Sequence, residues 1–142
     1  MNDQEFIRKF EDCTLPPDNF NHRAHLRMAW LYLHNYSVLE ALAKFCESLK
    51  RYAGSLGKSN IYHETITFAY IFLIHERIQL SGESQCWEEF ALSNADLLNW
   101  NEGILKSYYS EEILKSDRAR KMFVFPDRLP HPVRENAATA TQ

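Results

Sequence analysis

At 142 residues, with 45% hydrophobic and 25% charged residues, the chain has the length and composition of one globular domain, which argues against bulk disorder. Four glycines and five prolines are too few for the turn-rich grammar of a β-sandwich or barrel. The net charge of -3 argues against a globally basic nucleic-acid binder, and the scattered Cys13, Cys46 and Cys86 form neither a disulfide frame nor a C-x-x-C metal pair.

Taken in chain order, Phe6, Ile7 and Phe10 share one helical face and predict a first helix over 2–11, ending before "LPPD". Asp18, Asn19 and Asn21 are each competent N-caps for a second helix running to about Leu33. Its buried stripe is predicted as Leu26, Ala29, Trp30 and Leu33. Ser37 and Glu40 have capping-box spacing and open a third helix. That helix directs Leu39, Leu42, Cys46, Leu49 and Ala53 inward and stops at Gly54 or Gly57.

The stretch "SNIYHETITFAYIFLIHERIQLSG" predicts a central, buried helix near 61–80, apolar around nearly its whole circumference from Ile66 to Ile74. Its Ile, Thr, Phe and Tyr also suit a strand; its length and polar flanks decide for helix. Shorter helices are predicted at 85–92, 94–100, 102–108, from the Ser110 cap to 114 or 116, and at 117–123. Three prolines keep 125–132 irregular, and 133–142 reads as a flexible tail. The expectation is an all-α, compact single-domain helical bundle of about six to eight helices over 1–132. The longest apolar run, "ITFAYIFLI", is far short of the roughly 20 residues that span a bilayer, and the first ten residues carry no apolar signal segment. A soluble, cytoplasmic protein with no membrane or nucleic-acid partner is expected.

Chemistry concentrates at two helix starts. His22 lies four before Leu26 and eight before Trp30, His25 lies four before Ala29, and His63 lies three before Ile66 and seven before Tyr70. A helix amino terminus disfavours imidazolium, so histidines there are expected neutral near pH 7, as general bases or metal ligands. If the two helices are neighbours, His22, His25 and His63 converge as a catalytic set or as ligands of a divalent transition metal. Tyr62, Thr65, Thr67 and Tyr70 would then line the pocket with hydroxyls. Adjacent His63 and Glu64 diverge too far on a helix to share one ion. His34, His75 and His131 read as a helix-end, a boundary and an exposed residue. No nucleophile elbow, phosphate loop or dinucleotide fingerprint occurs.

A second concentration is "SYYSEEIL" followed by "SDRARKMFVFPD". Here Tyr109 could position a substrate and Arg120 could hold an anionic group. Between 115 and 134, six Lys or Arg face Asp117 and Asp127, a local net of +4 that leaves about -7 elsewhere.

Three stretches, "FNHRAHLRMAWLYL", "YHETITFAYIFL" and "YYSEEILKSDRARKMFVFPDRLP", resemble in this order the motifs of a small all-helical bacterial family with no established activity. The likeness covers about residues 20–130. It implies motif positions at His22, His25, Tyr62, His63, Thr65, Thr67, Tyr109, Ser110, Arg120 and Asp127, and implies no reaction. Departures at Tyr70 and Arg128 would alter pocket shape.

The functional expectation is an enzyme or small-ligand-binding protein acting on a small polar or anionic molecule, with His63 as base or ligand and His22 and His25 as partners. The alternative is a non-catalytic, regulatory or immunity-type interaction domain working through the basic 115–134 segment. A homodimer through an exposed apolar helix face is compatible with either.

Overall fold

In the computed structural model, which describes residues 1–82, 85–101 and 103–128, every regular element is helical. The α-helices are α1 (Asp3–Glu11), α2 (His22–Asn35), α3 (Val38–Ser55), α4 (Glu64–Ser81), α5 (Trp87–Ser93), α6 (Ala95–Leu98), α7 (Glu111–Leu114) and α8 (Asp117–Lys121). Single 3-10 turns stand at Pro17–Asn19, Ser59–Ile61 and Ile104–Ser107. The expected tail at 133–142 and the prolines beyond 128 lie outside the described residues. No helix among the described residues is long and apolar enough to cross a membrane.

Asn2 starts α1 by accepting the Glu5 N–H at 2.8 Å, and Phe6 and Phe10 anchor the helix in the core. The helix ends through Cys13, whose φ of +61° is the left-handed conformation glycine usually supplies. That residue turns the chain so that the Thr14 and Leu15 N–H groups both reach the Lys9 carbonyl. Of the three candidate caps for α2, Asn21 does the work, accepting the Ala24 N–H at 2.9 Å, while Asp18 and Asn19 sit in the preceding 3-10 turn.

α2 buries more than the predicted stripe. Met28, Leu31 and Tyr32 are as enclosed as Leu26, Ala29 and Trp30, whereas Leu33 is half-buried. The reason is its position: α2 touches α1, α3, α4 and α6, so little of its surface is left for solvent. In α3 the inward set is Ala41, Phe45, Cys46, Ser48, Leu49 and Tyr52, and Leu39, expected inside, is 69% exposed. The Ser37 box is half formed: Ser37 Oγ accepts the Glu40 N–H at 3.4 Å, and the Glu40 carboxylate takes the serine hydroxyl instead of the Ser37 N–H. α3 stops at Gly57, with φ of +70°.

α4 is central, packed on α2, α3 and α8. It starts later than predicted, because residues 59–61 form a separate 3-10 turn and His63 is the N-cap. Thr65, Tyr70, Ile71, Ile74 and Ile78 form its buried face. The all-round apolarity of 66–74 arises because a second face, with Phe68 stacked on Phe123 at 5.7 Å, is met by the chain after α8. Phe72 and Leu80 stay exposed.

Beyond Gly82 the predicted helices shorten. The one expected at 102–108 is a 3-10 turn over Ile104–Ser107, and the one expected to reach 123 ends at Lys121. Thr65 ends α8, since its hydroxyl donates to the Met122 carbonyl at 2.8 Å and accepts the Val124 N–H at 3.1 Å, holding 122–124 extended along α4. The clasp continues with Asp127 accepting the Ser110 N–H and the Arg128 N–H meeting the Tyr108 carbonyl.

Candidate functional site

The first two turns of α2, the last three of α3 and the first two of α4 enclose a cavity of about 620 Å³. Leu26, Ala29, Leu49, Ile66 and Ile71 give it an aliphatic floor, and Phe20, Phe45, Tyr52, Tyr62, Tyr70 and Trp100 give it aromatic walls. The polar contributions come from Asn21, His22, His25, Lys58, His63 and Thr67, and no Asp or Glu among the described residues lines it.

All three predicted histidines therefore reach one cavity, but their chemistry differs. His63 is fully committed to the backbone. Its Nδ1 accepts the Ile66 N–H at 3.1 Å, so Nε2 carries the proton and donates to the Leu114 carbonyl at 2.7 Å. Burial lowers its pKa, the Leu114 hydrogen bond opposes that, and nearby Arg120 adds to the lowering. His63 is a cap and a bridge to α7. With both ring nitrogens engaged, His63 could serve as a general base only by giving up one of these bonds.

His25 is a different case. Its ring meets Phe20 edge-on at 4.3 Å, and Nε2 is sealed from solvent with no hydrogen-bond partner. Burial, with His22 beside it, pushes its pKa down to about 4, so the ring is neutral near pH 7. An unpartnered buried nitrogen costs about 1–3 kcal/mol. His22, the first residue of α2, lies between Tyr70 and Trp100, with centroids 5.3 and 5.0 Å away. Its Nε2 meets the Leu97 carbonyl at 2.9 Å and so bears the proton, leaving Nδ1 as an acceptor without a protein hydrogen bond among the described residues.

Tyr62, Thr67 and Tyr70 line the cavity as predicted. Thr67 donates to the His63 carbonyl at 2.7 Å, and Tyr62 donates to Glu64 at 2.6 Å while Lys50 sits over its ring. Burial pushes the Tyr70 hydroxyl up to about 12. Thr65, Tyr109 and Arg120 belong elsewhere, which corrects their assignment to the pocket. Thr65 faces the 122–124 segment, and Tyr109 donates to the Val124 carbonyl at 2.6 Å. Arg120 donates to the Asn60 carbonyl at 2.8 Å, tying α8 to the turn before α4. Within the basic segment Arg128 reaches the Lys106 carbonyl and Lys115 forms an exposed pair with Glu111.

The predicted three-histidine metal set does not form. No group of three or more His, Cys, Asp or Glu among the described residues is arranged to hold an ion. Both nitrogens of His63 and Nε2 of His22 bond to the backbone, so His63 has no nitrogen left for an ion. Sequence reasoning missed Phe45, Tyr52, Lys58 and Trp100. The first two follow from the true inward face of α3; Lys58 and Trp100 sit in connections with no periodic signal.

No family model matches the chain, and no curated protein or solved structure matches it either. The likeness of the three motifs to a bacterial family stays a resemblance.

Proposed function

We propose that the protein binds a small, largely apolar molecule in the cavity between α2, α3 and α4. The observation that carries this reading is the cavity itself. About 620 Å³ lies within the range typical of small-molecule sites, and its wall is aromatic and aliphatic with a few polar atoms. Most of those polar atoms are already satisfied by the protein, as with Thr67, Tyr62 and both nitrogens of His63. Apolar contact therefore supplies the affinity and a few groups supply orientation.

The test is a fragment screen read by thermal shift and by tryptophan fluorescence, with Trp100→Phe to assign the signal. A bound fragment at about a hundred times its Kd adds about 2.7 kcal/mol of stability. Ile66→Trp, which puts an indole at a half-buried position on the floor, should abolish the shift. A set of aromatic and aliphatic fragments that moves neither readout in the wild-type protein overturns the proposal.

A second reading, acid–base chemistry on the bound molecule, rests on His22. It alone of the three histidines pairs a protonated nitrogen fixed on a carbonyl with a second nitrogen open to a proton. Under that reading His22→Gln would keep fragment binding and lose turnover.

A further inference from the structure

The electrostatics of the cavity wall say more than its apolarity. Of the charged residue types only a lysine lines it, Lys58, in the turn that follows α3, and Lys58 makes no ion pair among the described residues. Glu64, next in the chain to the lining residue His63, is turned to other partners: it accepts from Tyr62 and pairs with Lys50 at 3.7 Å. Two helix amino termini contribute to the wall, at Asn21–His22 and at His63, against one carboxyl-terminal end, that of α3. Lys58 sits at that α3 end, where a cation offsets the partial negative charge.

A wall of this kind sorts ligands by charge. A cationic ligand meets the Lys58 ammonium and no lining carboxylate among the described residues, so that repulsion at the rim offsets what the aromatic faces offer a cation. A neutral one gains from the aromatic walls alone. An anion gains those contacts and can set its charge against the Lys58 ammonium as well.

We infer that the cavity takes a hydrophobic monocarboxylate, its ring or chain between the aromatic walls and its carboxylate at the Lys58 rim. The inference rests on the proposed ligand-binding reading and narrows it to one ligand class. The carboxylate stays at the rim because the floor, Leu26, Ala29, Leu49, Ile66 and Ile71, offers it no donor. A dianion meets no second Lys or Arg among the described residues that line the cavity, and Arg120 is held outside on Asn60.

The experiment compares three probes of nearly equal shape by calorimetry at pH 7.5 on the full chain: naphthylacetate, naphthylacetamide and naphthylethylamine. The expected order is carboxylate, then amide, then amine, with the carboxylate about tenfold tighter than the amide, as befits one charge-assisted contact at a wet rim. In Lys58→Met, which keeps the stem and removes the charge, the ratio of the two dissociation constants should fall towards one. Raising the salt should shrink the ratio in the wild-type protein and leave it unchanged in the variant. Equal binding of carboxylate and amide by the wild-type protein, or a preference for the amine, overturns the charge inference and leaves the cavity reading standing. If none of the three binds, both fall. A ratio that survives Lys58→Met overturns the role given to Lys58.

Discussion

The two faces of α4 make an instructive pair. Both carry polar side chains at buried or half-buried positions, and both sets looked alike in the sequence. On the α8 side, Thr65 and the neighbouring Tyr109 are consumed in closing the chain: one hydroxyl holds Met122 and Val124, the other holds Val124 again. On the α2 side the histidines and tyrosines surround a cavity, and His25 keeps a nitrogen that nothing in the protein satisfies. The first face is a clasp and the second is a vessel. A buried hydroxyl with two backbone partners stabilises the fold; a buried imidazole with a missing partner weakens it.

The largest effect that could break this contrast is acid lability. His25 has its pKa lowered from 6.5 to about 4 in the folded protein, so between those values the unfolded chain binds the proton more readily. Stability is then complete above about pH 6.5 and falls as the pH drops towards 4, by about 3 kcal/mol. His63, also lowered, acts in the same direction. Urea denaturation across that range should show the loss, and His25→Phe should flatten most of it. A wild-type curve as flat as the variant's would mean that His25 is solvated and that the cavity wall is not closed behind it.

Next in size is the clasp. Thr65→Val is nearly isosteric but strands the Met122 carbonyl and the Val124 N–H, so a loss of about 2–3 kcal/mol is expected in the same assay. Fragment affinity should hold, because Thr65 does not line the cavity. A variant that loses affinity while keeping its stability would place Thr65 in the site after all.

The fold was readable where a periodic signal was strong. The Phe6/Phe10 face, the Ser37 cap and the central helix all follow from spacing and cap chemistry, whereas Asn21 could not be told from Asp18 and Asn19 as the cap of α2. The site was readable only as a list of residue types. Periodicity placed His63 beneath an apolar stripe, but as an N-cap it lies outside the helix, in extended backbone, where its ring turns back onto Ile66. Nor could spacing show which nitrogen is bonded: Leu97 is 75 residues from His22, and Leu114 is 51 from His63. Tyr109 and Arg120 shared a motif with true neighbours of α4 and joined the opposite face. Leu39 was misplaced because hydrophobicity alone does not rotate a helix; Phe45 and Tyr52 set the face of α3 by filling the space beside Phe10, at 5.9 and 5.5 Å.

A smaller effect separates Tyr109 from the cavity tyrosines. Tyr109→Phe leaves the Val124 carbonyl without its donor and should cost about 1–2 kcal/mol, again with fragment affinity unchanged. Tyr70→Phe, which removes a hydroxyl from a cavity-lining ring packed edge-on against His22, should alter fragment affinity more than stability. If the two substitutions behave alike, the division of α4 into clasp and vessel is wrong.

The finest distinction concerns His63, which touches both worlds: it lines the cavity and caps the helix. Its geometry is that of a cap, with Nδ1 doing for Ile66 what an asparagine oxygen does at other helix starts in this chain, Asn2 for Glu5 and Asn21 for Ala24. His63→Ala should therefore cost about 1–2 kcal/mol through the lost cap and the orphaned Leu114 carbonyl. His63→Asn should recover most of the cap and stay within about 1 kcal/mol of the wild-type protein. Asparagine can cap but cannot exchange a proton near neutral pH. A His63→Asn protein with normal stability and normal fragment binding would assign the residue to the helix, whereas normal stability with lost binding or turnover would return it to the site.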